Sequence, residues 1–178
     1  MNEGMNTVND QEVMKGGRDE EARSMDEFLT IALEEARAGI ENDDGGPFGA
    51  VIVRDGVVIS KAHNEVLKRN DPTAHAEILA IREASAILGS FDLSTCEIYS
   101  TSQPCPMCFA AIFWARIRRL FYGTTREDVA GIGFDDRLIY NVIRGEAEAE
   151  EMEVVNVDRD RCIEVLEEWE RRPGRRVY

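Results

Sequence analysis

No stretch of this sequence stays apolar for the ~20 residues that a bilayer-spanning helix needs. The first residues, Met1 to Ser24, lack the apolar core of a secretory signal. The expected compartment is therefore the cytoplasm, with no membrane partner. Basic residues are scarce: 21 Lys and Arg face 35 Asp and Glu, a formal net charge of -14. Affinity for nucleic acid comes largely from Lys and Arg neutralising phosphates, so a polyanionic partner is disfavoured. The Arg116, Arg118 and Arg119 cluster and the basic tail of Arg171, Arg172, Arg175 and Arg176 are too local to make a basic face. Nor is there a disulfide framework. The four cysteines, Cys96, Cys105, Cys108 and Cys162, are few for a chain of 178 residues expected in a reducing compartment. No internal repeat is visible.

What is present suits a globular protein. The hydrophobic fraction is 43% and the charged fraction 31%, and the length suffices for one domain with a real core. Residues 1–23 carry no periodic apolar pattern and are expected to be a disordered extension. The domain is expected over residues 24–178. A helix begins near Ser24 or Asp26, either of which can cap it, and ends near Gly39 or before Gly45-Gly46-Pro47. Two Val- and Ile-rich runs, 48–54 and 57–62, flank Asp55-Gly56, a strong hairpin signal. Helices are expected over 78–88, 108–115, 135–143 and 161–172, and strands over 96–100 and 117–122. The Glu-rich stretch 146–153 reads as a solvated connection or helix face. This alternation predicts a three-layer α/β/α domain, and the hairpin makes its sheet mixed.

Two segments carry chemistry: Asp71-Pro72-Thr73-Ala74-His75-Ala76-Glu77 and Pro104-Cys105-Pro106-Met107-Cys108. Each reads as the start of a helix. Asp71 can cap, with Pro72 at the first helical position, and Pro106 can open the second helix. Cys105 and Cys108, three apart in a first turn, share a face. A helix N-terminus also favours the thiolate that a metal needs. His75, Cys105 and Cys108 then supply three ligands to Zn2+ and leave a fourth position for water, the mark of a catalytic zinc. Glu77 lies two residues after His75, an offset that would face it away in a regular helix. The motif works only where the helix begins and both side chains can turn to one pocket. A redox Cys pair would leave His75 and Glu77 without a role. A closed structural zinc would need a fourth ligand, and the other histidine, His63, is a candidate for it.

His-x-Glu followed by Pro-Cys-x-x-Cys is the signature of the zinc nucleobase deaminases, with the Glu moving protons rather than binding metal. From Phe28 onward the chain resembles the cytidine deaminase-like zinc deaminases. Further stretches resemble bacterial guanine deaminases: Gly45 to Val53, Asn70 to Glu77, Pro104 to Cys108, Trp114-Ala115-Arg116, Gly133-Phe134-Asp135-Asp136, and the terminal Tyr178. Plant-type guanosine deaminases share Gly-Phe-Asp-Asp, and transfer RNA adenosine deaminases share the His-x-Glu segment. The resemblance implies one zinc per subunit and hydrolysis of guanine, a small purine, to xanthine and ammonia by a homodimer. It implies a C-terminal segment, about residues 150–178, swapped between subunits, with Tyr178 covering the partner's pocket. It places Asn64 on the substrate's polar edge, Phe48 and Trp114 near the base, and Asp136 at the guanine-binding end. Gln103 departs from the pattern, since an acidic residue usually precedes Pro-Cys. The residues themselves agree in part, because a carboxylate at Asp136 can accept from both N–H groups on guanine's reacting edge. As alternatives, Asp136 can cap a helix, Asn64 can turn a loop, and Phe48 and Trp114 can be core aromatics.

Overall fold

Strand β1 (Gly49–Arg54) turns directly into β2 (Val57–His63), and the turn between them is the Asp55-Gly56 pair. Both turn residues have positive φ, 51° and 74°. That backbone matches the twist of the flanking strands and suits Asp-Gly. The computed structural model describes residues 10–148 and 152–177. Its four strands, β1, β2, β3 (Cys96–Ser102) and β4 (Arg119–Thr124), form one sheet in the order β2-β1-β3-β4. Strand β1 is antiparallel to β2 and β3, and β3 is parallel to β4. The sheet is mixed, as expected.

Strand alternation divides the core into two layers. Val51, Val53 and Tyr99 point to one face, where Phe28 and Ala32 of α1 (Asp10–Glu41) cover them. Ala50, Ile52 and Ile98 point to the other. There they meet Ala76, Ala80 and Ala84 of α3 (Ala76–Leu88) and Ile112 of α4 (Pro106–Trp114). This is the three-layer α/β/α arrangement. Small residues on α3 let that helix lie close on the sheet. Truncating a fully buried residue such as Ile98 to Ala would cost about 2–5 kcal/mol, because a close-packed core cannot collapse around the void.

Helix α3 stops at Gly89, whose φ of 62° gives the left-handed cap expected from sequence. Two short helices were not expected, α2 (Val66–Arg69) and α5 (Arg126–Gly131). The last two are α6 (Arg137–Arg144) and α7 (Arg159–Arg171). Helix α1 also differs from expectation, since its backbone is helical from Asp10, inside the stretch expected to be disordered. Glu, Lys, Arg and Met favour helix there without any apolar stripe. Residues 1–9, and with them the rest of that expectation, lie outside the described residues, as do 149–151 and Tyr178. The chain divides into two compact units, Met1–Asp136 and Arg137–Tyr178. Among the described residues, no helix is long and apolar enough to cross a membrane.

Candidate active site

The two motifs meet at the N-termini of α3 and α4. His75 is the N-cap of α3, with extended backbone at φ -72°, ψ 152°. Cys105 is the N-cap of α4, at φ -64°, ψ 169°, and Pro106 opens that helix. This resolves the spacing problem in His-x-Glu. His75 lies just outside the helix, so its ring is not bound by helical spacing, while Glu77 sits in the first turn and is buried.

His75 Nδ1 lies 3.5 Å from Cys105 Sγ and 3.5 Å from Cys108 Sγ. Tetrahedral zinc, with bonds of about 2.0–2.1 Å to nitrogen and about 2.3 Å to sulfur, sets nitrogen and sulfur roughly 3.6 Å apart. The three ligand atoms therefore already stand at the spacing zinc imposes, and they form one of the groups in the chain able to hold a metal ion. The electrostatics agree. The Cys105 thiol is held down at about 4, foremost by its hydrogen bond with Cys108 and against the cost of burial. Cys108 is pushed far up, foremost by its hydrogen bond with Cys105 and then by burial. The His75 imidazole is raised above its ordinary range, chiefly by its hydrogen bond with Cys105. One imidazole and two thiols at this spacing are a donor set that suits zinc.

Burial, first of all, pushes the Glu77 carboxyl above its usual range. One of its oxygens accepts a hydrogen bond from Ser100 of β3 at 3.2 Å, and both residues are buried.

Asn64 follows β2 and is also buried. Its Oδ1 accepts from the backbone N–H of Gly46 and of Val66, each at 3.2 Å. With Oδ1 so committed, the two N–H donors of its amide remain for a ligand's acceptor. Gly45 must be glycine here, because a Cβ would collide with that same Oδ1. At Gly46 a Cβ would come within 2.8 Å of the Phe48 ring. Phe48 is half-buried and packs edge-on against Phe134, with ring centroids 5.1 Å apart. Phe134 belongs to the Gly-Phe-Asp-Asp segment, so this pair ties that segment to the loop before β1. Asp136, two residues on, has its carboxyl raised, first by desolvation and then by the charge of Cys105. Trp114 stands exposed at the far end of α4 from Cys105. Tyr178 lies outside the described residues.

His63 does not join the cysteines. Its Nε2 lies 2.8 Å from Asp44 Oδ2 and its Nδ1 3.3 Å from Glu35 Oε2. With Asp44 and Glu65 it forms a separate cluster, in which Lys68 Nζ contacts Asp44 at 2.9 Å and Glu65 at 2.8 Å. The idea of a closed structural zinc with His63 as fourth ligand therefore finds no support in the geometry.

The profile of the cytidine and deoxycytidylate deaminase zinc-binding region matches residues 22–124. This chain belongs to that zinc-dependent deaminase family. It is 42% identical to guanine deaminase of Bacillus subtilis over 84% of this chain and 94% of that protein. The X-ray structure of the Bacillus subtilis guanine deaminase superposes with a TM-score of 0.80 at 41% identity, covering 86% of this chain and 98% of that one. A tRNA-specific adenosine deaminase of Aquifex aeolicus is 44% identical over 59% of this chain and 69% of its own length. A solved guanine deaminase of Nitrosomonas europaea is 38% identical, with a TM-score of 0.59 over 61% of this chain and 63% of that one. Sequence reasoning anticipated that His75, Cys105 and Cys108 come together and that Glu77 lies beside them at the start of α3. It missed Ser100 and the Phe48–Phe134 pair; the first had no local signal, and the second lay hidden within the Gly-Phe-Asp-Asp segment.

Proposed function

We propose that this deaminase hydrolyses guanine to xanthine and ammonia. The observation that carries this reading is the reach of the Bacillus guanine deaminase match. It combines 42% identity with 84% of this chain and 94% of that protein, whereas a tRNA-specific adenosine deaminase that spans 78% of this chain is 33% identical. The deficit of basic residues also argues against a transfer RNA substrate.

His75, Cys105 and Cys108 hold the zinc in this reading. Bound there, zinc acidifies a water so that it can attack near neutral pH. Glu77 takes one proton of the attacking water and delivers it to N3 of the purine, then takes the second from the new C2 hydroxyl and delivers it to the departing amine. The C2–N2 bond breaks as the C2–O bond forms, and one water is consumed per ammonia. A carboxyl raised by burial suits this work, because it accepts and returns a proton near operating pH. Asp136 accepts from the N1–H and N2–H donors of guanine. The Asn64 amide donates to a carbonyl or ring-nitrogen acceptor, and Phe48 flanks the base.

The chain in this reading is a cytoplasmic homodimer whose C-terminal segment crosses to its partner, with Tyr178 covering the partner's pocket. Two observations support the dimer. Phe109, Phe113 and Trp114 leave an exposed aromatic face on α4, and α7 buries none of its residues although it carries Val165, Leu166 and Trp169. Contiguous apolar surface of this kind marks an interface.

Ammonia release from guanine, guanosine, cytosine, cytidine and adenine tests the assignment. Guanine should be turned over fastest. A preference for guanosine would move the enzyme to the nucleoside branch, and no ammonia from any of the five would remove the enzymatic reading.

A further inference from the structure

Glu77 has an unusual task for a side chain at a helix start. It must reach past His75 to the reacting atoms, and it must hold one orientation while it gains and loses a proton. The helix alone does not fix it. His75, the N-cap, makes no side-chain capping bond, so the first turn of α3 is not locked by a capping box that would hold its acidic residue. At the helix starts its own backbone N–H and the Cys108 side chain hydrogen-bond the carboxyl, and a further partner reaches it from the sheet.

Strand β3 supplies it. Side chains alternate along a strand, so Ser100 shares a face with Ile98, the face on which α3 and α4 lie. Ser100 is central in the sheet, paired with Ala50 of β1 on one side and Tyr122 of β4 on the other. Its backbone is therefore fixed by two neighbouring strands, and its side chain is fully buried, at 0% exposure. From there its hydroxyl donates to Glu77 Oε1 at 3.2 Å. A buried hydroxyl costs free energy unless it finds a partner, and a carboxylate oxygen is a strong acceptor. Ser100 thus anchors Oε1 from the sheet, on the side away from the helix-start contacts of the same carboxyl with its own N–H and Cys108.

We propose that Ser100 is the positioning residue of this active site: it fixes the rotamer of Glu77 so that one carboxylate oxygen stays aimed at the reacting water and amine. This rests on the reading of Glu77 as the proton carrier. Ser100 touches neither substrate nor metal ligand in this account, so it should affect the chemical step and leave binding alone. Misplacing a catalytic group by an ångström can cost on the order of 10²-fold.

The test is steady-state kinetics on guanine for Ser100→Ala and Ser100→Thr, with zinc content measured on the same preparations. Ser100→Ala should lower kcat by about 10-fold or more, keep KM within about 2-fold, and retain stoichiometric zinc. Ser100→Thr, which keeps the hydroxyl, should recover most of the lost kcat. The proposal fails if Ser100→Ala keeps a near-normal kcat, if its loss falls on KM or on zinc instead, or if the Thr variant is as slow as the Ala variant. Glu77→Gln is the control that separates the two readings. If Glu77→Gln retains turnover, the proton-carrier assignment itself falls, whatever Ser100 does.

Discussion

Two clusters of metal-ligating side chains lie among the described residues, each built on one histidine and two acidic partners. They differ in what balances their charge. At His75, Cys105 and Cys108 the partners are sulfurs at the start of a helix, hydrogen-bonded to each other and to His75. At Asp44, His63 and Glu65 the partners are carboxylates, and the protein supplies its own cation. Lys68 bridges Asp44 and Glu65, and Arg69 pairs with Glu65. The first cluster offers a soft donor set suited to zinc, whereas the carboxylates of the second are paired with Lys68 and Arg69. Ligand identity alone does not make a metal site; the neighbours that would compete with the metal decide it.

The largest expected effect lies in the first cluster. Cys105→Ala should lose bound zinc and all detectable turnover, because two ligands hold the metal far less tightly than three. Full zinc occupancy in this variant would move the metal elsewhere. His63→Ala makes the matching change in the second cluster and should keep both zinc and most activity. Zinc loss there would erase the distinction between the clusters.

Asp136 offers the next effect. Asp136→Asn turns one acceptor oxygen into a donor facing a donor, and a site built on that pairing loses specificity steeply when it fails. A drop of at least ~10²-fold in kcat/KM for guanine is expected, with zinc content unchanged. Unaltered guanine kinetics alongside a lowered melting temperature would make Asp136 a simple helix cap.

The smallest effect is a matter of pH in the second cluster. The Asp44 carboxyl is held below its ordinary 3.8, foremost by its hydrogen bond from Lys68 and then by that from His63. A depressed folded-state pKa means stability that is present above the ordinary value and lost as pH falls through the lower, folded one. Thermal melts below about pH 4 should therefore separate wild type from Asp44→Asn less than melts at neutral pH. An equal gap at both would mean that Asp44 contributes nothing through its charge.

Local chemistry was legible in the sequence, and distant pairing was not. The Asp55-Gly56 turn demands positive φ at both positions, so it announced its hairpin. The second helix start fell where expected, with Cys105 as N-cap, but the first did not: Asp71 turns the preceding loop by accepting from Thr73, and His75 is the N-cap. Helix α5 was missed although its Thr125–Asp128 capping box was there to read. It is only six residues long, too short for a periodic signal. Helix α2, at four residues, left still less trace. Ser100 could not be found at all. It stands beside Thr101 and Ser102 in sequence and is set apart only by a contact to Glu77, 23 positions away.

The central claim is that the sulfur cluster holds the metal and Glu77 moves the protons without binding it. Zinc content and guanine-dependent ammonia release, measured together on purified Glu77→Ala, test it most directly. The account predicts one zinc per chain and turnover reduced by about 10²–10⁴-fold or more. Zinc lost along with activity would make Glu77 a ligand, and activity retained would leave the site without its proton carrier.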